Sequence, residues 1–284
     1  MTLGFDFSDV LRTRAARPIL VAFLATVVRR MGNWVPASAA VELMSQLGLE
    51  ESSVRTAVFR LRKTSWLRAE TRDRVRGYAL TDIALEALSE VDVVITTMRQ
   101  PAVLQDGWCL VHTSIPERQR SVRHQLRSRL SSVGFGNLGS GLWVAPARME
   151  QVARSTLTEL RLHEQSVIFV GAHIPGHDLE RVVGRCWDLP AINERYRSFV
   201  HLHRPPAEVL RSREMIDGRA AFAAYMTLID DWRGLPLRDP GLPRELLGTE
   251  WAAEEAVAVF DDFVATLEGR ALAYAAGYWP NVAV

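Results

Sequence analysis

The residues of this chain best suited to chemistry are cations. Between Ser52 and Thr81 lie Arg55, Arg60, Arg62, Lys63, Arg68, Arg72, Arg74 and Arg76, opposed only by Glu70 and Asp73, a local charge of +6. Guanidinium groups present planar paired donors and ammonium a compact charge, so such a cluster suits an extended polyanion. Other reactive types are scattered. His173 and His177 could share a helical face as metal ligands, but Pro175-Gly176 stands between them. His201 and His203 converge only from an extended segment, and all four read as surface or capping histidines. Cys109 and Cys186 lie far apart with no CxxC, so neither a disulfide framework nor a zinc site is expected. Gly139-Ser140-Gly141 lacks the spacing of a nucleophile elbow, and no GxGxxG or GxxxxGKS phosphate loop occurs. No catalytic residue, metal or cofactor is expected.

The cations need elements to aim them. A helix starting at Pro18 continues through Ile-Leu-Val-Ala-Phe-Leu to about Arg30, and Gly32, Asn33 and Pro36 end it. A second helix spans about Ser38–Gln46, and Gly48 permits a tight turn. A third, about Glu51–Thr64, puts Val54, Ala57, Val58 and Leu61 on an inward stripe. Ser53, Arg55, Thr56, Arg60 and Lys63 are left on or beside the outer face. Two short strands, Trp66–Glu70 and Val75–Leu80, join through a charged turn, and Asp82 caps a helix running to about Met98. Helix, short glycine turn, helix and basic hairpin is the order of a winged helix-turn-helix, whose third helix enters the major groove. Arg55 and Arg60 are then expected at base edges or phosphates, with Ser53 and Thr56 as short-range donors. Arg72, Arg74 and Arg76 grip the backbone or minor groove, and Lys63 completes the set.

The chain of 284 residues, 48% hydrophobic and 24% charged, is long enough for two or three globular domains. After Asp106, strands at Trp108–Ile115, Gly136–Leu138, Leu142–Ala145 and Ser166–Gly171 alternate with helices from Pro116 and over Met149–Leu162. That is the βαββαβ, ferredoxin-like pattern. Beyond it the pattern is mostly helical, over Asp178–Leu189, Pro190–His203, Glu208–Arg233 and Thr249–Leu267, with a proline-stiffened loop at Leu235–Leu247. The expected fold is α+β and multidomain: residues 1–100 a winged helix-turn-helix, 101–175 ferredoxin-like, 176–284 helical. Net charge is +3 over residues 1–90, +3 over 91–175 and −5 over 176–284. No apolar run spans a bilayer and no secretion signal opens the chain, so a cytoplasmic protein is expected.

Several runs resemble the PaaX family of phenylacetate-pathway repressors. Ser53-Val54-Arg55-Thr56-Ala57 with Arg60-Leu61 is one; Asp106-Gly107-Trp108, Ile115-Pro116-Glu117 and Arg120 follow in order. Gly134-Phe135-Gly136 and Gly141-Leu142-Trp143-Val144 fit, as do Trp187-Asp188-Leu189, Tyr196 and Phe199. Arg238-Asp239-Pro240, Leu242-Pro243, Glu245-Leu246-Leu247 and Trp251 complete the set. The resemblance implies a homodimeric repressor of a catabolic operon, bound to double-stranded operator DNA, with a Cas2-like middle domain. It also implies release by an aryl-CoA or other acyl-CoA effector, typically phenylacetyl-CoA. A two-fold dimer would set two third helices about one DNA turn, or a multiple, apart.

Two other uses of these elements stand beside that one. A winged helix can dock other proteins without reading DNA, and the salt dependence of DNA binding separates the two. Cas2-like domains can also act as metal-dependent nucleases. Leu110–Ile115, however, holds no carboxylate, and Asp106 and Glu117 only flank it. The eight tryptophans read as core or interface anchors, with Arg195 or Arg197 as partners for an effector phosphate.

Overall fold

Ile19, Leu20, Phe23 and Leu24 recur at helical spacing and are all buried; they form the inner face of α1 (Ala16–Thr26). The computed structural model describes residues 15–211 and 217–280. α1 ends before the expected Arg30, in a 3-10 turn over Val28–Met31 closed by left-handed Gly32. Next comes a strand the sequence did not announce, β1 (Trp34–Pro36). Three residues ending in proline read locally as a breaker; they form a strand because they pair with distant β3, at a sheet edge where Pro36 is tolerated. α2 (Ala37–Gln46) and α3 (Glu51–Lys63) follow, then the hairpin β2 (Leu67–Arg72) and β3 (Val75–Leu80). The sheet order is β1-β3-β2, antiparallel throughout. α4 (Asp82–Met98) is capped by Thr81 and not by the expected Asp82: the Thr81 hydroxyl accepts from the Ala84 N–H at 3.3 Å.

The βαββαβ order is present as β4 (Trp108–Thr113), α5 (Arg120–Ser132), β5 (Gly136–Gly139), β6 (Leu142–Pro146), α6 (Glu150–Glu159) and β7 (Ser166–Ala172). The sheet runs β5-β6-β4-β7, antiparallel, the ferredoxin-like arrangement. On one face Cys109, Val111 and Trp143 pack with Leu126 and Leu130 of α5 and Ala153 and Leu157 of α6. Burial pushes the Cys109 thiol up to about 11, so it is an unreactive core residue. The other face, with Trp108 and Val144, is covered by α7 (Gly176–Cys186) and Leu242.

α8 (Leu189–Arg211), α9 (Gly218–Trp232) and α10 (Ala253–Ala276) complete the helical part. The helix expected over Pro190–His203 runs on to Arg211. Of the helix expected over Glu208–Arg233, residues 212–216 lie outside the described ones and Gly218–Trp232 is helical. The last helix extends beyond the expected Leu267 to Ala276. The loop before it is structured: buried Asp239 accepts hydrogen bonds from the Tyr196 hydroxyl at 2.8 Å and the Gly241 N–H at 2.7 Å. Burial raises the Asp239 carboxyl above its ordinary range, against the pull of those bonds.

Packing cuts across the boundaries read from the sequence. The described parts of Met1–Asp92, Phe199–Arg233 and Val257–Val284 form one compact unit; Val93–Ser198 and Gly234–Ala256 form the other. In the first, Phe23 of α1 stands edge-on to Phe222 of α9 at 6.2 Å. Trp279 donates its indole N–H to the Trp34 carbonyl of β1 at 2.8 Å. Tyr274 and Tyr278 hold the Gln46 amide from α2, each at 2.7 Å. The last helix and the turn after it thus finish a core that α1 to β3 begin.

Candidate nucleic-acid interface

The orientation of α3 follows from its apolar stripe. Val54, Ala57, Val58 and Leu61 are buried, and at 100° per residue the opposite arc centres on Ser52, Thr56, Phe59 and Lys63. Arg55 and Arg62 flank that line on one side, Ser53 and Arg60 on the other. The turn into α3 depends on Gly48, left-handed at φ 82°, which lets the Leu49 N–H reach back to the Met44 carbonyl.

Ser53, Arg55, Thr56, Arg60 and Lys63 are all exposed. Arg55 donates to Glu51 one turn back, its Nε at 2.7 Å, an exposed pair worth little and easily exchanged for a phosphate. The Thr56 hydroxyl donates to the Ser52 carbonyl at 2.8 Å. Arg60 and Lys63 face solvent with no side-chain partner among the described residues.

The hairpin is built with equal definition. Arg72 pairs with Val75, leaving Asp73 and Arg74 as a two-residue turn with φ 47° and 67°, the combination a type I′ turn needs. Arg74 therefore projects at the tip, and Arg76 is exposed on β3. Arg72 is held in place: it donates to Glu70 and to the Gly32 carbonyl, and its guanidinium lies 5.3 Å from the Trp34 ring centroid. The Arg72 hydrogen bond, with help from Arg68, keeps the Glu70 carboxyl below its usual range. The structure thus brings the eight expected residues onto two neighbouring elements, α3 and the β2–β3 hairpin, with Arg55 and Arg72 already engaged.

Three residues of this surface went unassigned in the sequence: Ser52, Arg62 and, above all, Phe59, 64% exposed. Helical spacing carries the signal, since position 59 falls outside the inward stripe, one turn from Arg55 and Arg62.

The other candidates disperse. His173 precedes α7 and shares no helical face with His177, which is within it. His203 is neither surface nor cap: it is fully buried on α8, 4.5 Å from Phe199 between ring centroids, with Nε2 3.0 Å from an Asp231 carboxylate oxygen. No group of three metal-ligating side chains occurs among the described residues. Glu117 is paired with Arg123, and Arg197 with Glu250. Seven of the eight tryptophans are buried; Trp66 is half-buried.

Three family models match the chain: "PaaX-like protein" over residues 15–84, "PaaX protein central Cas2-like domain" over 101–183, and "PaaX-like protein C-terminal domain" over 187–277. Transcriptional repressor PaaX of Escherichia coli (strain K12) is 31% identical over 229 residues, 78% of this chain and 70% of the relative. The fold is similar to that of uncharacterized protein Rv0674 from Mycobacterium tuberculosis, with a TM-score of 0.57 and 22% identity over 92% of this chain and 98% of that one. The architecture is thus mixed helix and strand, with a Cas2-like central domain and a helical C-terminal part.

Proposed function

Because this chain belongs to the PaaX family, we propose that it is a DNA-binding transcriptional repressor whose reading head is a winged helix-turn-helix built from α1 to β3. The observation that carries this is the outward arc of α3 beside the hairpin tip, which together display Arg55, Arg60, Lys63, Arg72, Arg74 and Arg76 to solvent. The similarity to a transcriptional repressor supports it. By sequence module, residues 1–100 carry the winged helix, 101–175 the Cas2-like domain and 176–284 the helical part, although packing groups them otherwise. The protein acts as a cytoplasmic homodimer on a two-fold operator; no helix among the described residues is long and apolar enough to cross a membrane. α3 reads the major groove through Arg55 and Arg60 with Ser53 and Thr56, while Lys63, Arg72, Arg74 and Arg76 meet phosphates.

The test is fluorescence anisotropy with duplex DNA from upstream of the gene, against random competitor and over a salt series. Tight, salt-sensitive binding that survives competitor is expected; salt-insensitive or absent binding would favour a protein-docking winged helix. Arg55→Ala and Arg60→Ala are each expected to weaken operator binding by about 1–3 kcal/mol where the lost contact is a bidentate base contact. Arg74→Ala should weaken operator and random DNA alike and lower the salt slope by about 1. Unchanged affinity in all three would remove α3 and the hairpin from the interface.

The effector is an aryl-CoA or other acyl-CoA. Its acyl end is assigned to a half-open cavity of about 550 Å³ between α1, α4, α9 and α10. Ile229, Phe260 and Val264 form an apolar wall, and at its polar side Arg29 is paired with Asp92 and Arg30 with Glu268. α1 lines this cavity and also packs on α3, so a ligand preferring a displaced α1 would release DNA. Val264→Trp, which fills the cavity, should leave operator affinity intact and abolish release by phenylacetyl-CoA in the same anisotropy assay. Release undiminished in that variant would move the effector elsewhere.

A further inference from the structure

No large apolar side chain among the described residues is more exposed than Phe59, at 64%. Its surroundings are unusual for a stray surface phenylalanine. One turn before it on α3 stand Arg55 and Thr56, one turn after it Arg62 and Lys63, all exposed. Covering Phe59 with the apolar face of another protein would strip water from those cations without giving them partners. A partner that suits both is anionic at its borders and apolar at its centre. The major groove of duplex DNA has that layout: phosphates line its edges, and the C5-methyl of thymine is the apolar group on its floor.

We propose that Phe59 packs against the C5-methyl of a thymine in each operator half-site, making it a specificity residue beside the arginines. This rests on the DNA-reading assignment of α3. Phe59 lies near the centre of the outward arc, with Arg55 and Arg60 to its two sides, so the thymine would fall between the bases or phosphates those arginines reach. Thr56, a turn earlier on the same line, has its hydroxyl turned back to Ser52. Its methyl group can therefore extend the apolar contact.

The experiment uses the full-length protein and the duplex it selects from a random pool. Each thymine is replaced in turn by deoxyuridine, which removes only the methyl group, and affinities are measured for wild type, Phe59→Ala and Phe59→Leu. At one thymine per half-site the wild type should lose roughly fourfold in affinity, the fold-change equivalent to one buried methyl. Phe59→Ala should bind thymine and uracil at that position equally, and Phe59→Leu should retain part of the preference. The salt slope should be the same for all three proteins, since no charge is removed, and the melting temperature should change little, since most of the side chain is exposed. A methyl preference that survives in Phe59→Ala overturns the proposal, and so does the absence of any methyl-sensitive thymine. If the wild type selects no sequence at all, the DNA-reading assignment falls first and this one with it. Specific binding without a Phe59-dependent methyl effect refutes this inference alone.

Discussion

Trp279→Ala is expected to cost about 3–5 kcal/mol of stability, the range for deleting a buried aromatic, although the residue lies beyond the last helix. The indole is almost fully buried, and its N–H meets the Trp34 carbonyl at 2.8 Å. Removing it opens a cavity and strands a carbonyl at the edge of the three-stranded sheet. Operator affinity should fall with stability, because Trp34 supports Arg72 and accepts its guanidinium over the ring. Trp279→Phe separates the two contributions: most of the packing stays, and losing the hydrogen bond should cost about 1 kcal/mol. Urea unfolding followed by circular dichroism measures both. A Trp279→Ala protein as stable as wild type would show that the turn after α10 does not hold the sheet.

Gly77→Ala tests the same sheet from inside. Gly77 of β3 faces Pro36 of β1 and Glu70 of β2. A Cβ there would lie 2.4 Å from the Val35 carbonyl oxygen and 2.6 Å from the Trp34 indole. Neither is a flexible side-chain tip, so β1 must part from β3 or Trp34 must leave its place. Overpacking of this kind costs about 1–3 kcal/mol, and rigid backbone on one side puts this site at the upper end. Displacing Trp34 also breaks its indole hydrogen bond to the Glu70 carbonyl and the seat of Arg72. The expected result is a lower urea midpoint and weaker binding to both operator and random DNA, since Arg72 is proposed to meet phosphates rather than a base. An unchanged midpoint would mean that β1 moves aside without cost.

What the sequence disclosed and what it withheld divide by distance along the chain. α3, the hairpin and the ferredoxin-like order were legible because each is written in local periodicity: Val54, Ala57, Val58 and Leu61 at helical spacing, two short strands around a charged turn, strands alternating with amphipathic helices. β1 was not, because Trp34–Pro36 is a strand only by virtue of β3, some forty residues later. His203 was misjudged for a related reason. Its burial depends on Phe263, which stands edge-on to it at 5.7 Å and belongs to a helix far downstream. The grouping of α9 and most of α10 with the first eighty residues left no local trace, and a change of charge near residue 176 suggested a boundary that packing does not follow. The site residues were legible as charges, whereas Phe59 drew no notice because an apolar residue in a helix reads first as core.

The discontinuous reading unit also bears on how this protein comes into being. On the ribosome, α1 to β3 emerge before Phe222, which covers Phe23, and before the indole of Trp279 that caps β1. At roughly 5–20 residues per second the interval is on the order of tens of seconds, during which the nascent reading head shows an unfinished apolar face. A chain cut before Phe222 and Trp279 leaves that face uncovered, a fragment prone to association and proteolysis. The fold of α1 to β3 is thus completed only once Phe222 and Trp279 have been made.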